Sequence, residues 1–177
     1  MTDNESIKQT VDLEKSSVEI RNVVNSDLDR CFEIESYAYA GDEAASIEKI
    51  AHRINTYPEG FIVLTVGGII AGFINGGATH EIEMSDESFK ELIGHDANGR
   101  HIVIMSVVIH PDYQRLGLAS KLMNNYIERM RDLKKESMFL ICQTDLIDMY
   151  ASYGFQYLRN STSNHGGLSW HDMSLQL

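Results

Sequence analysis

Cysteine is scarce in this chain of 177 residues. Cys31 and Cys142 lie far apart within apolar segments, a spacing that offers no disulfide framework and fits a reduced, cytoplasmic setting. Proline is equally rare: Pro58 and Pro111 each fall where an apolar segment ends rather than inside one. No apolar run approaches the length of a membrane span. The opening Met1-Thr2-Asp3-Asn4-Glu5-Ser6 has neither the basic start nor the hydrophobic centre of a secretory signal, so no membrane partner is predicted. Basic residues are outnumbered, 15 Lys and Arg against 26 Asp and Glu, for a net charge of −11. That excess repels polyanions and disfavours nucleic acid; it also serves solubility and concentrates cations around the molecule. Internal repeats and low-complexity stretches are absent too. The length suits one domain, with an N-terminal arm over residues 1–17 and a folded unit over 18–177, as monomer or homodimer.

What is present is strongly patterned. Val18 to Val23 alternates as a first strand. Ser26 reads as the N-cap of a helix through Leu28, Cys31, Ile34 and Tyr37, with Asp27 and Asp29 in the first turn where the dipole favours acids. Ser46, Ile47, Ile50, Ala51 and Ile54 give a second helix its stripe, and Tyr57-Pro58-Glu59-Gly60 ends it. Phe61 to Val66 and Ile69 to Gly76 flank Gly67-Gly68, a hairpin signal. His80 to Arg100 is a polar excursion with a short helix expected around Ser85 to Leu92. Beyond residue 136, Ser137 to Cys142 reads as a buried strand and Asp145 to Tyr153 as a short helix stopped by Gly154. Phe155 to Leu158 and Gly167 to Leu175 read as the last two strands.

The most telling stretch is Val107 to Leu122. Its β-branched start continues Ile102, Val103 and Ile104 as a buried strand, and Pro111 with Asp112 turns the chain. Leu118, Leu122, Met123, Tyr126, Ile127, Met130 and Leu133 then recur at helical spacing. The first amides of such a helix have no intrahelical acceptor, so an anion placed there gains hydrogen bonds and a dipole interaction of ~0.3–1 kcal/mol. Gly117 and the small Ala119 let phosphate oxygens approach the backbone, and the segment reads as a pyrophosphate cradle.

Gln114, Gly117 and Ala119 match the signature of the GNAT superfamily of acyl-CoA N-acyltransferases: Gln or Arg, two variable positions, Gly, one variable position, then Gly or Ala. The strand before, the helix after and Leu140 to Phe155 stand in the order of that superfamily, and the resemblance spans roughly Val18 to Leu175. Within it the chain is most similar to the arylalkylamine, or serotonin-type, N-acetyltransferases. Phe32-Glu33-Ile34-Glu35, the polar excursion, Tyr150 to Phe155 and the segment Gly167 to Met173 carry that likeness. The resemblance implies an α/β fold whose mixed, mostly antiparallel central sheet splays after its fourth strand, flanked by helices. It implies acetyl-CoA as acyl donor, no metal, and direct transfer to a small primary amine in a ternary complex. The backbone of Val107, Val108 and Ile109 would pair with the pantetheine arm as an added strand. Gln114, Arg115, Leu116, Gly117, Leu118, Ala119 and Ser120 would hold the pyrophosphate, and Gln143 and Tyr150 would complete the cofactor-binding set. Two other readings share these residues: a peptide or protein N-acetyltransferase, and a non-catalytic CoA-binding sensor.

Acetyl transfer needs a neutral nucleophile, a polarised thioester and a proton for the leaving thiolate. An alkylammonium with pKa ~10.4 is ~0.1% neutral near pH 7.4, a cost of ~4 kcal/mol. The resemblance puts Tyr150 at the thioester as hydrogen-bond donor or acid to the thiolate, whereas Tyr153 reads as core. Cys142, on a buried strand, is a poor nucleophile. Animal arylalkylamine acetyltransferases carry a His-x-His pair on the central strand, where this chain has Val103 and Met105. That departure bears on aromatic-amine specificity more than on acetylation. The remaining base candidates are His101 acting through water or lying at an edge, Glu33, Glu35, His80, His171 and a surface His110, with a water chain ending on a carboxylate equally open. The acceptor pocket is expected between Tyr37 to Ser46 and Arg159 to Gly166.

Overall fold

The computed structural model describes residues 13, 16–39, 44–82, 89, 91–162 and 168–177. Most of the expected helix at Ser85 to Leu92 and most of the N-terminal arm lie outside these, as do parts of both expected acceptor loops. The described chain runs β1 (Val18–Asn22), α1 (Leu28–Ala38), α2 (Ile47–Thr56), β2 (Phe61–Val66), β3 (Ile69–Thr79), β4 (His101–Ile109), α3 (Leu118–Asp132), β5 (Ser137–Cys142), α4 (Ile147–Ser152), β6 (Gln156–Asn160) and β7 (His171–Gln176). The seven strands form one sheet in the order β1-β2-β3-β4-β5-β7-β6, antiparallel throughout except for β4 beside β5.

Helix starts follow local chemistry. Ser46 caps α2, its Oγ accepting the Lys49 N–H at 3.2 Å. Ser26 does not cap α1: the chain enters through a single 3₁₀ turn at Asn25–Asp27, and Asp27 turns back to accept the Val24 N–H at 2.9 Å. Arg21 holds the same carboxylate at 2.7 Å, which explains why this aspartate, rather than the serine before it, organises the entry. Burial raises the Asp27 carboxyl pKa, but the Arg21 and Val24 hydrogen bonds outweigh it and hold the group below the usual range.

The sheet carries apolar side chains on both faces, so its inner strands read as near-continuous hydrophobic runs. One face packs under α3: Ile62, Leu64, Ile74, Ile102 and Ile104 meet Leu122, Met123, Tyr126 and Met130. The other packs under α1 and α2: Phe61, Val63, Phe73 and Val108 meet Cys31, Ile34, Ile50 and Ile54. Strand β4 changes hands partway. Gly76 opposes Ile104 while Asn75 opposes Ser106, which leaves Met105 as an extra, unpaired residue, a β-bulge. Before it, Ile102 and Ile104 face α3; after it, Ile109 does, while Val108 faces α1.

The bulge also marks where the sheet opens. Pairing of β4 with β5 covers only His101↔Ser137, Ile102↔Met138 and Val103↔Phe139, although both strands run further. Strand β5 stays zipped to β7 along its whole length, from Ser137↔Gln176 to Cys142↔His171. A bulge bends its strand and increases the local twist, so β4 leaves β5 and a wedge opens between their C-terminal ends. This is the splay after the fourth strand that the sequence led one to expect.

Candidate active site

The wedge ends in a turn with unsatisfied amides. After Ile109, His110-Pro111-Asp112-Tyr113 makes one 3₁₀ turn, and α3 starts from Gly117 at φ 78°. Arg115 is also left-handed, at φ 63°, although it carries a Cβ. Alternation of left-handed residues turns successive N–H groups toward one side, the geometry of an anion-binding nest. The earliest helical bond here is Lys121 N–H to the Gly117 carbonyl, at 3.3 Å, and the amides of residues 115–120 have no acceptor among the described residues. A Cβ built on Gly117 would meet nothing within 4 Å, so the space above these amides is open. The expected cradle therefore fits a diphosphate by both criteria, free donors and room. Gln114 acts differently from its neighbours: its Nε2 donates back to the Ile109 carbonyl at 3.0 Å and fastens the end of β4 to the turn.

Val107 and Ile109 lie in the part of β4 without a β5 partner, so no strand covers that edge and another extended chain could add there, with Tyr39 and Gln114 donating to the Val107 and Ile109 carbonyls. Val108 points its side chain into the core under α1. Across the wedge, β5 ends at Cys142 and Gln143 leads into α4, which carries Tyr150. The Tyr150 ring is buried between Tyr153 and Phe155 at edge-on angles. Burial pushes its phenol far above the ordinary value, with Tyr39, Cys142 and Tyr153 adding to it. A phenol so held keeps its proton and serves as a donor. Burial likewise pushes the Cys142 thiol up to about 11, which removes it as a nucleophile.

The base candidates separate cleanly. His101 is no edge residue: it opens β4 between Thr79 and Ser137, bonds the Ser137 hydroxyl and stacks edge-on against Phe139. Its pKa is lowered by burial and by Arg100. It stands at the closed end of the β4–β5 pair, away from the wedge. His110 is not on the surface either; it is 9% exposed, wedged between Tyr37 and Tyr113, with Nδ1 accepting the Asp112 N–H. His171 has both ring nitrogens engaged, with Thr144 and Tyr157, and His80 pairs with Asp96 at the surface. Glu33 is exposed and pairs with Arg30.

Glu35 is the exception. It is buried on the inner side of α1, next to Arg53 of α2, Asn75 of β3 and Ser106 of β4. Sequence reasoning passed over this cluster, although its signal was present: Asn75 and Ser106 are single polar residues inside apolar strands, and Arg53 falls beside Ile50 and Ile54 on the helix stripe. Tyr39 links the cluster to the wedge, its hydroxyl donating to the Val107 carbonyl at 3.5 Å.

A sheet opened beside a bulge, with free amides at the mouth, defines an acyl-CoA-binding transferase fold. The sequence profile of the acetyltransferase (GNAT) family matches residues 21–155, and the chain belongs to that family. It is similar to the N-acetyltransferase ycf52 of Porphyra purpurea, 38% identical over 58 residues, a match covering 33% of each chain. The chain thus spans about a third of the length of that curated relative. Among solved structures it resembles the loading GNATL domain of CurA from Lyngbya majuscula, with TM-score 0.79 and 14% identity over 90% of this chain and 98% of that one. It also resembles the PaiA N-acetyltransferase of Thermoplasma acidophilum in complex with coenzyme A, with TM-score 0.67 and 17% identity over 91% and 99%.

Among the described residues no helix is long and apolar enough to cross a membrane.

Proposed function

We propose that this protein transfers the acetyl group of acetyl-CoA to a small primary amine by direct attack in a ternary complex. One observation carries the reading. Among the described residues, the β4–β5 pair opens onto amides without acceptors at one end and a buried tyrosine on its far side. In this reading the diphosphate lies against residues 115–120, Gln114 and Leu118 setting the turn and helix that aim the amides. The pantetheine arm runs along Val107 to Ile109 as an added strand, with Gln143 at the mouth of the opposite wall. Tyr150 donates a hydrogen bond to the sulfur as the C–S bond breaks. A model phenol (~10) is less acidic than a thiol (~8.5), and burial widens that difference, so donation of a hydrogen bond suits Tyr150 better than full proton transfer.

The acidic surface favours a cationic acceptor. Arylalkylamines remain the finer proposal, resting on the sequence likeness and on Tyr39 standing beside the open strand. A specific observation favours a peptide N-terminus as second reading: all five residues of β6 are exposed on the last strand of the sheet, a place where an extended peptide would add. The test is thiol release from acetyl-CoA with a panel of alkylamines, arylalkylamines and short peptides. Release with amines alone supports the first reading and release with peptides alone the second. Binding of acetyl-CoA with no release above hydrolysis overturns both in favour of a sensor.

A further inference from the structure

Glu35 carries an unused valence. Its Oε1 accepts the Ala45 N–H at 3.1 Å and the Ser106 hydroxyl at 3.3 Å, while Oε2 is buried without a hydrogen-bond partner. Native proteins rarely leave a buried carboxylate oxygen without a donor, and such a group calls for an explanation. The missing donor has a defined setting. Ser106 follows the bulge, one residue before Val107, whose carbonyl accepts from Tyr39; Tyr39 and Ala45 both border a cleft of about 590 Å³ between α1 and the start of α2, with Lys49 on its wall. The orphaned oxygen thus belongs to the carboxylate whose other oxygen bonds Ser106, on the strand along which the thioester is proposed to run.

We propose that Oε2 of Glu35 receives the acceptor ammonium and takes its proton, making Glu35 the catalytic base. The assignment rests on the acetyl-transfer reading above. The N–H bond of R–NH3+ breaks, its electron pair stays on nitrogen, and an O–H bond forms on Glu35. The freed lone pair attacks the thioester carbon, the C–S bond breaks toward sulfur, and a second proton from nitrogen passes to the thiolate. Amide and free CoA leave, and Glu35 returns its proton to solvent before the next turnover.

The surroundings suit that task. Burial raises the Glu35 carboxyl above the ordinary range, while the Ala45 N–H, the Arg53 guanidinium and the Ser106 hydroxyl pull it partway back. A carboxylate raised in this way is a stronger base than an exposed one. Around it, Arg53 on α2 is the charged neighbour, Cys31 on α1 is a thiol pushed up to about 12 by burial, and Tyr39 faces Arg53; β3 and β4 contribute the neutral Asn75 and Ser106.

The test is kcat/KM from about pH 5 to 9 with a series of amines of differing basicity, alongside acetyl-CoA affinity. The wild-type profile should fall on the acid side at one pH whatever the amine. Glu35→Gln should lower kcat by about 100-fold and erase that fall, with acetyl-CoA affinity within about twofold, while Glu35→Asp keeps the fall and part of the rate. Ser106→Ala covers the case in which Glu35→Gln does not fold. It removes a donor to the carboxylate and should move the fall to higher pH. A Glu35→Gln protein that keeps its rate, an acid fall that follows the amine's own pKa, or an unmoved fall in Ser106→Ala would overturn the assignment and leave acetyl transfer standing. No CoA release from wild type with any acceptor would overturn both.

Discussion

The two ends of β4 share β-branched aliphatic residues and differ in their pairing. From His101 to Val103 the strand is paired on both edges and its side chains are locked under α3 and against β5; from Ser106 to Ile109 it keeps β3 alone. Ile102 and Val103 in the first half and Val107 to Ile109 in the second are all β-branched and apolar, so these residues do not distinguish the two. The partner does. The first half spends its backbone hydrogen bonds on the fold, and the second leaves one edge without a strand partner, where the proposed donor would add. Structural and functional roles are thus separated by three residues of chain, with the bulge as the boundary.

Substitutions at the two ends should therefore fail in different assays. The largest effect belongs to the closed end: Ile102→Ala removes a side chain of zero exposure and should cost ~2–5 kcal/mol in denaturant unfolding, with acetyl-CoA affinity unchanged in the folded fraction. If affinity fell in proportion, the division of labour would be wrong. Gly117→Leu acts at the open end and should weaken acetyl-CoA by about 100-fold in calorimetry, ~2.7 kcal/mol, by filling the space above the free amides. It should also cost ~1 kcal/mol of stability through its positive φ, and unchanged affinity would remove the cradle. Tyr150→Phe should reduce kcat by about 30-fold, ~2 kcal/mol, with acetyl-CoA affinity intact in steady-state and binding assays.

The smallest effect lies outside both ends and serves as a control. Asp27→Asn should cost about 1 kcal/mol at neutral pH, discounted because Arg21 is half exposed, and leave turnover alone. Since the folded carboxyl pKa is depressed, its stabilisation is complete above the unfolded value of ~3.9 and is lost as pH falls through the folded one. The variant's acid unfolding curve should lack that component.

Much of this arrangement was legible in the residues. Gly67-Gly68 between two apolar runs fixed the hairpin, now seen with both glycines at positive φ, and the strand-turn-glycine-helix order fixed the cradle. The losses have physical causes. His110 follows a strand into a turn, where exposure is the ordinary expectation; only its neighbours Tyr37, distant in sequence, and Tyr113 enclose it. The last strand begins at His171, with Leu168 to Trp170 outside it, and β6 runs from Gln156 to Asn160, because their limits are set by mutual pairing. Glu33 and Glu35 looked equivalent as base candidates. Their helical phase separates them, since Glu35 follows Cys31 by four and Leu28 by seven and so turns inward with Ile34, while Glu33 faces water. Ser106 was beyond a periodicity argument altogether: strict alternation from Ile102 and Ile104 assigns it to the α3 side, and the extra residue before it sends it to Glu35 instead.

Met105 has one more consequence. Because it is surplus to the ladder, a chain lacking it would restore an unbroken register with Gly76 opposite Ile104 and Asn75 opposite Ser106, as they are now. Every remaining side chain of the strand would keep its present wall, and both cores would survive the deletion. What would vanish is the bend alone, so a single codon separates this opened sheet from a closed one with no wedge beside its fourth strand.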